Sequence, residues 1–326
     1  MRTLIIAISM LLIFRISSGQ DPHFTQFYSN PLYLAPSFAG ATQSDRIATV
    51  YRNQWASLPG AYVTYAFSYD HFFENFNSGV GVLLMRDVAG TGDLAMTNAG
   101  LQYSYDIKIN NYWHVRPGVH INYTQMGIDY YKLTWNDQLS SSGTGGGTIE
   151  QPGEEVKADV DFSTSALVYS DRFWAGFAVD HLLTPNYGLW NNNAEWPMKF
   201  TVFGGAQVIK RGQLFNPIEE SLSLAFLFRH QDLFNQLDLG VYWYKAPLML
   251  GLWYRGIPVV SMDPRGDAVA FLVGYKMDDI RVGYSYDFTI SNLVSSTGGS
   301  HEVSVVYEFS TTRRKSKRRM VPCPEF

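Results

Sequence analysis

Beyond its first twenty or so residues, the chain repeats one unit about fourteen times: eight to eleven residues, apolar on alternate positions, then a turn. Ile280, Val282, Tyr284 and Tyr286 alternate with Arg281, Gly283, Ser285 and Asp287. Val303, Val305, Tyr307 and Phe309 alternate with Glu302, Ser304 and Glu308. A period of two places the two sets on opposite faces of a strand, one greasy and aromatic, the other charged or small. No hydrophobic run past the start is long enough for a membrane helix. Residues 46–310 are therefore predicted to form an all-β, transmembrane antiparallel β-barrel of about 14 strands, apolar toward lipid and polar toward its lumen.

Residues 1–19 predict a cleavable export signal. Arg2 supplies the positive start, Leu4 to Phe14 the apolar centre, and Ser17-Ser18-Gly19 the small-residue cleavage site. No cysteine stands at the cleavage point, which excludes a lipoprotein, and Cys323, the only cysteine, excludes a disulfide framework. Hydrophobic residues make up 46% of the chain, yet its mean hydropathy lies slightly below zero. A barrel with a polar interior reconciles the two. Aromatics at 15%, with 21 Tyr and 21 Phe, suit interfacial girdles. A secreted β-sandwich would also alternate, but the mature chain shows no second domain or interdomain linker.

The connections predict sidedness. Short ones fall at Asn110-Asn111, Asp171-Arg172, Lys245-Ala246-Pro247 and Met277-Asp278-Asp279. Long ones run from Leu133 to Val160, Leu182 to Met198, Gly256 to Gly266 and Thr289 to Ser300. Outer-membrane barrels carry short turns in the periplasm and longer loops outside, so both termini are expected to be periplasmic. The stretch Lys210 to Glu220 is longer than that rule predicts.

Inward residues must oppose inward residues across a hairpin, so parity restricts the register. Pairing residues whose numbers sum to 589 sets Arg281 opposite Glu308; a sum of 493 sets Asp238 opposite Arg255; a sum of 222 sets Asp106 opposite Arg116. Opposite charges so placed contribute roughly 0.2–1 kcal/mol each and pin the register. They also predict a wet or polar-filled lumen rather than an apolar tunnel. Arg52 and Gln54 point inward if Tyr51 and Trp55 meet lipid, and Trp253 and Arg255 project inward together. With Asp287 and Glu302, these are the candidate lumen or partner contacts.

Residues 20–45, QDPHFTQFYSNPLYLAPSFAGATQSD, have neither period. Their three prolines and many aromatics predict an irregular segment packed against the periplasmic mouth or inside the lumen. Residues 311–326 form a basic tail with Arg313, Arg314, Lys315, Lys317, Arg318 and Arg319. Of 25 Lys and Arg, Arg2 and Arg15 fall in the leader and six in the tail; of 29 Asp and Glu, only Glu325 lies outside Gln20 to Ser310. That span therefore carries 17 bases against 28 acids, an acidic barrel with a basic end. Export removes any nucleic-acid role for the tail and leaves two readings, a disordered solvated end or an electrostatic dock for an acidic periplasmic partner.

Motifs for chemistry are poor. In Ser300-His301-Glu302 neighbouring side chains face opposite ways, so His301 and Glu302 cannot cooperate. The acidic stretch with Glu150, Glu154, Glu155, Asp159 and Asp161 lacks EF-hand spacing. The tract Asp87 to Asp93 (DVAGTGD) lacks the Lys-Ser/Thr of a phosphate loop. No catalytic, metal or cofactor site is predicted.

QDPHFTQFYSNPLYLAPSFAG, YRNQWASLPGAYVTY (Tyr51 to Tyr65), HLLTPN (His181 to Asn186), GLWYRGIP (Gly251 to Pro258) and YSYDFTIS…GGSHEVSVVYEF (Tyr284 to Phe309) together resemble the PorP/SprF family. The resemblance covers almost the whole mature chain, and five tracts in one order are specific. The arginine-rich tail and the Gly-rich loop depart from it. The resemblance implies a non-enzymatic outer-membrane barrel of type IX secretion and gliding motility, bounded by outer-membrane lipid. It implies as partners the C-terminal domain of a secreted adhesin and periplasmic components including a peptidoglycan-binding lipoprotein. A porin passing small solutes is the alternative reading of the same pattern.

Overall fold

A computed structural model describes residues 20–140, 143–144, 148–150, 153–189, 193–211, 219–256, 268–290, 298–309 and 321–322. The predicted export signal and the six basic residues of the tail lie outside the described residues. Fourteen antiparallel strands form one closed ring. They are β1 (Asp45–Gln54), β2 (Tyr62–Phe73), β3 (Ser78–Ala89), β4 (Leu94–Tyr105, continued by Ile107–Lys108), β5 (His114–Gly127), β6 (Val156–Tyr169) and β7 (Phe173–Asp180). The second half comprises β8 (Lys199–Arg211), β9 (Glu220–Gln231), β10 (Phe234–Lys245), β11 (Leu248–Arg255), β12 (Ala268–Met277), β13 (Ile280–Thr289) and β14 (Ser300–Phe309). Each strand pairs with its chain neighbours, and β1 closes on β14 from Asp45↔Phe309 to Gln54↔Ser300. Closure leaves no edge with unpaired backbone groups, the condition for spanning lipid with strands.

Alternation decides which way each side chain faces. In β5, His114, Arg116, His120, Asn122, Thr124 and Met126 are buried inside, while Val119, Ile121 and Tyr123 are exposed on the outer wall. The outer wall elsewhere presents Tyr65, Phe67, Leu84, Leu101, Phe177, Leu252 and Phe271. In an aqueous protein such a belt would cost about 25 cal/mol per Å² of apolar surface; in lipid it is at rest.

Both ends of the strand set, Asp45 and Phe309, lie at the rim bearing the tight turns Ser170–Arg172, Ala246-Pro247 and Asp278-Asp279. The opposite rim carries the connections from β5 to β6 and from β7 to β8. It also carries a two-residue turn, Asp232-Leu233, between β9 and β10. That rim is therefore not uniformly long-looped.

The hairpin registers differ from expectation in one case. Asp238 opposes Arg255, and the Asp106–Arg116 pairing follows the predicted sum, since Ser104↔Gly118 and Ile107↔Val115 flank it. Arg281 instead opposes Val306, one two-residue step from the predicted partner. Its guanidinium still bonds the Glu308 carboxylate diagonally. The two-residue turn at Asp278-Asp279 sets this register, and diagonal neighbours remain within reach of a long side chain.

Candidate functional site: a lumen filled by the chain's own start

Residues 20–44 run through the lumen from the long-connection rim to the opposite one, then turn directly into β1. Only a four-residue helical turn, Pro31–Leu34, and a short 3₁₀ turn, Pro36–Phe38, interrupt the irregular path. Phe24, Thr25, Gln26, Ser29, Leu32, Phe38 and Ala39 are all buried. Backbone lacking a ladder must find partners elsewhere, and here the barrel's inward side chains supply them.

At the long-connection rim, Asp21 is the anchor. Its carboxylate accepts from the Trp196 indole (2.7 Å), faces His181 Nε2 (3.0 Å) and pairs with Lys199. His181 Nδ1 bonds Asp161 (2.7 Å), and Lys199 also faces Asp180 (3.2 Å). Burial alone would raise the Asp21 carboxyl, but the charges of His181 and Lys199 hold it well below the usual range. Burial disfavours the charged His181 ring, yet Asp21 and Asp161 raise it to about 10. His181 sits at φ 60°, a left-handed conformation that costs an L residue roughly 1–2 kcal/mol. The converging ion pairs overdetermine it.

One turn further in, four predicted residues meet on Thr25 and Gln26. The Glu302 carboxylate accepts both backbone N–H groups, each at 2.8 Å, and pairs with Arg52 at 3.0 Å. Arg52 also pairs with Asp287 (2.8 Å), as does Arg255 (3.2 Å). The Thr25 hydroxyl donates to Asp287 (2.7 Å) and accepts from Arg52 (2.7 Å) and Arg255 (3.0 Å). Two arginines and two carboxylates thus balance inside the wall, with a plug hydroxyl at their centre. Gln54 lies at the margin of this group, 3.5 Å from Arg52.

A third anchor holds the exit. Arg116 donates to the carbonyls of Ser37 (3.2 Å) and Ala39 (2.5 Å) and to Ser104 Oγ (2.7 Å); Asp106 is 4.0 Å away. Arg46 pairs with Asp70 at 2.8 Å and donates to the Phe38 carbonyl at 3.2 Å. The backbone passes so close to the wall that glycine is required: a Cβ on Gly79 would sit 1.9 Å from the Ala39 oxygen, and one on Gly118 2.3 Å from the Ser37 nitrogen.

The expectation of a wet or polar-filled lumen is corrected on one side. Trp174, Phe203, Leu227, Tyr242, Met249 and Trp253 point inward and pack with Phe27, Tyr28 and Phe38. Phe27 meets Trp253 at 4.9 Å and Phe38 meets Phe203 at 5.5 Å between ring centroids. Inward apolar residues are stable here because the segment brings its own aromatics and takes the place of water.

Sequence parity places Arg52, Arg255, Asp287 and Glu302 on the lumen face, and the structure brings all four together. Arg116 with Asp106 and Trp253 serve separate parts of the lumen, and Asp238 bonds Arg229 at 2.6 Å. Arg281 and Glu308 stand apart at the tight-turn rim. Asp21, Thr25, Gln26, Arg46, Asp70 and Lys199 are not singled out in the sequence; Asp161 is named there only in the acidic stretch and His181 only in the HLLTPN tract, neither as a plug anchor. The parity rule reaches Arg46 and Asp70, which oppose each other in the first hairpin. His301 turns outward to Tyr284 Oη (2.8 Å) while Glu302 faces inward, so the pair forms no catalytic unit.

A comparison with curated proteins found no match. Among solved structures, the CymD monoaromatic hydrocarbon channel superposes with a TM-score of 0.48 at 11% identity, covering 90% of this chain and 95% of that one. The Acinetobacter baumannii outer membrane protein Omp33 gives 0.46 at 8% identity, with coverage of 82% and 98%. The P. putida toluene transporter TodX gives 0.46 at 12%, with coverage of 85% and 93%. A sequence model of the type IX secretion system membrane proteins PorP/SprF matches residues 16–307. With a closed 14-stranded barrel under that match, the chain belongs to the PorP/SprF family and is an outer-membrane β-barrel.

Proposed function

We propose that this protein serves type IX secretion as a non-enzymatic outer-membrane anchor: it holds or helps export a surface adhesin and docks periplasmic machinery. The observation that carries the reading is the filled lumen. Three sets of buried ion pairs and an aromatic cluster bind residues 20–44 inside, an arrangement suited to a rigid post rather than a solute conduit. Family membership supplies the secretion context. The tight-turn rim, with Asp45 and Phe309, faces the periplasm, following the sidedness usual for such barrels. There the basic tail reaches an acidic periplasmic component. Adhesin contact falls to the opposite rim, which carries the β5–β6 and β7–β8 connections.

Pull-down of the tagged barrel from gently solubilised membranes, with mass spectrometry, tests the reading. Recovery of an adhesin C-terminal domain or of type IX periplasmic proteins supports it. Their absence, together with a steady open-channel conductance in planar bilayers, overturns it in favour of the porin alternative.

A further inference from the structure

Between the plug and the β3–β8 wall lies a chamber of about 40 Å³ with an apolar side, Leu32, Met85 and Met96, and a polar side, Asn98, Asn122 and Asp161. Two buried carbonyl oxygens on this wall have no hydrogen-bond partner among the described residues: Asn98 Oδ1 and Asn122 Oδ1. Asn122 is 5% exposed. A buried orphaned acceptor costs about 1–3 kcal/mol, so two side by side call for an occupant.

The occupant's sign follows from the surroundings. Both amide nitrogens are already committed, Asn98 Nδ2 to Thr124 Oγ1 at 3.1 Å and Asn122 Nδ2 to the same oxygen at 2.9 Å. With both amides donating to Thr124, their carbonyl oxygens are left as acceptors. The charged groups lining the chamber are the carboxylates of Asp21, Asp161 and Asp180 against Lys199 and protonated His181. Three negatives against two positives leave one negative charge uncompensated in a low-dielectric site. A single positive charge balances it, and a dipositive ion would overcompensate. No three His, Cys, Asp or Glu side chains converge as a metal centre among the described residues, whereas amide carbonyls are the hard oxygen ligands that alkali ions take. The volume holds about three water-sized bodies, enough for one partly hydrated ion.

We propose that this chamber is a binding site for one monovalent cation, an alkali metal or ammonium ion, coordinated by the Asn98 and Asn122 carbonyls and balanced by the Asp161–Asp180 side of the buried charge cluster. The ion would brace the β4–β6 wall beside the plug and neutralise the charge cluster that holds Asp21, coupling plug seating to the ionic medium.

Crystals of the full barrel grown in rubidium or thallium(I) salts test this directly by anomalous scattering. A peak within coordination distance of both carbonyls supports the site. Water density alone there, with the heavy cation present in the crystal medium, overturns it. In solution, thermal unfolding in detergent is compared in potassium, sodium, ammonium and N-methylglucamine chlorides at matched ionic strength. A saturable rise for the small cations over N-methylglucamine, weakened at least about tenfold in half-saturation by Asn98→Ala with Asn122→Ala, is expected. Equal unfolding temperatures in all four salts refute the proposal without requiring that the variant fold.

Discussion

Replacing Glu302 by Gln tests whether the plug is held by its charged anchor. The carboxylate makes two backbone bonds, to the N–H groups of Thr25 and Gln26, and one ion pair with Arg52. A glutamine has one carbonyl oxygen, so one N–H keeps an acceptor and the other faces an NH₂ donor. A hydrogen bond to a charged group contributes about 1.5–3 kcal/mol, and an unmatched buried donor costs a further 1–3 kcal/mol. Arg52 retains Asp287, which limits the loss on that side. A net weakening of plug seating by about 2–4 kcal/mol follows, a shift of about 30- to 700-fold in the local opening equilibrium. Hydrogen–deuterium exchange of the peptide covering Thr25 and Gln26, in detergent, reads that shift, with strand peptides from β5 as the internal control. Unchanged exchange at Thr25 and Gln26 in a folded Glu302→Gln barrel would refute the claim that this carboxylate seats the segment.

Phe38→Ala empties an aromatic site fully enclosed against Phe203 and should cost about 3–5 kcal/mol in urea unfolding followed by tryptophan fluorescence; a loss below 1 kcal/mol would contradict the packing. Gly79→Ala forces a methyl group onto the Ala39 carbonyl, so protease should nick the plug at lower concentration than in wild type, while the strands stay protected. The folded pKa of His181, about 10, lies above its ordinary 6.5, so its stabilisation is complete below about pH 6.5 and is lost as pH rises through about 10. Plug proteolysis should therefore increase toward pH 10 and above, and His181→Gln should flatten that rise. Ring closure is read by a disulfide: Ala48→Cys with Val306→Cys, in a Cys323→Ser background, pairs facing lumen positions of β1 and β14. Failure to cross-link under oxidising conditions would contradict the seam.

The strands were legible because each must satisfy two solvents at once, so Val119, Ile121 and Tyr123 cannot exchange places with Arg116, His120 and Asn122. The same constraint made two charged pairings predictable and missed the third by one step, because parity admits any even shift. The plug's route was not legible. Asp21, Thr25 and Gln26 find their partners hundreds of residues away, at His181, Asp287 and Glu302, and nothing local marks them. The apolar wall of Trp174, Phe203 and Tyr242 was obscured for a related reason, although Arg255 on the same face gave Trp253 away. On those strands both faces are hydrophobic, and only the presence of Phe27 and Tyr28 distinguishes an interior side from a lipid side.

The occupant of this lumen is tied to the wall without a linker: Ala39 and Gly40 already touch the barrel, and Asp45 is its first residue. Reseating after any transient escape is therefore first-order and independent of protein concentration, at an effective concentration of order millimolar or above. A free peptide copying residues 20–44 starts at that disadvantage and will not displace the native segment at micromolar doses. The seam between β1 and β14 has an equivalent consequence for biogenesis. A chain whose beginning must end up encircled folds most directly by wrapping successive strands around that beginning and zipping the first strand to the last only at the end.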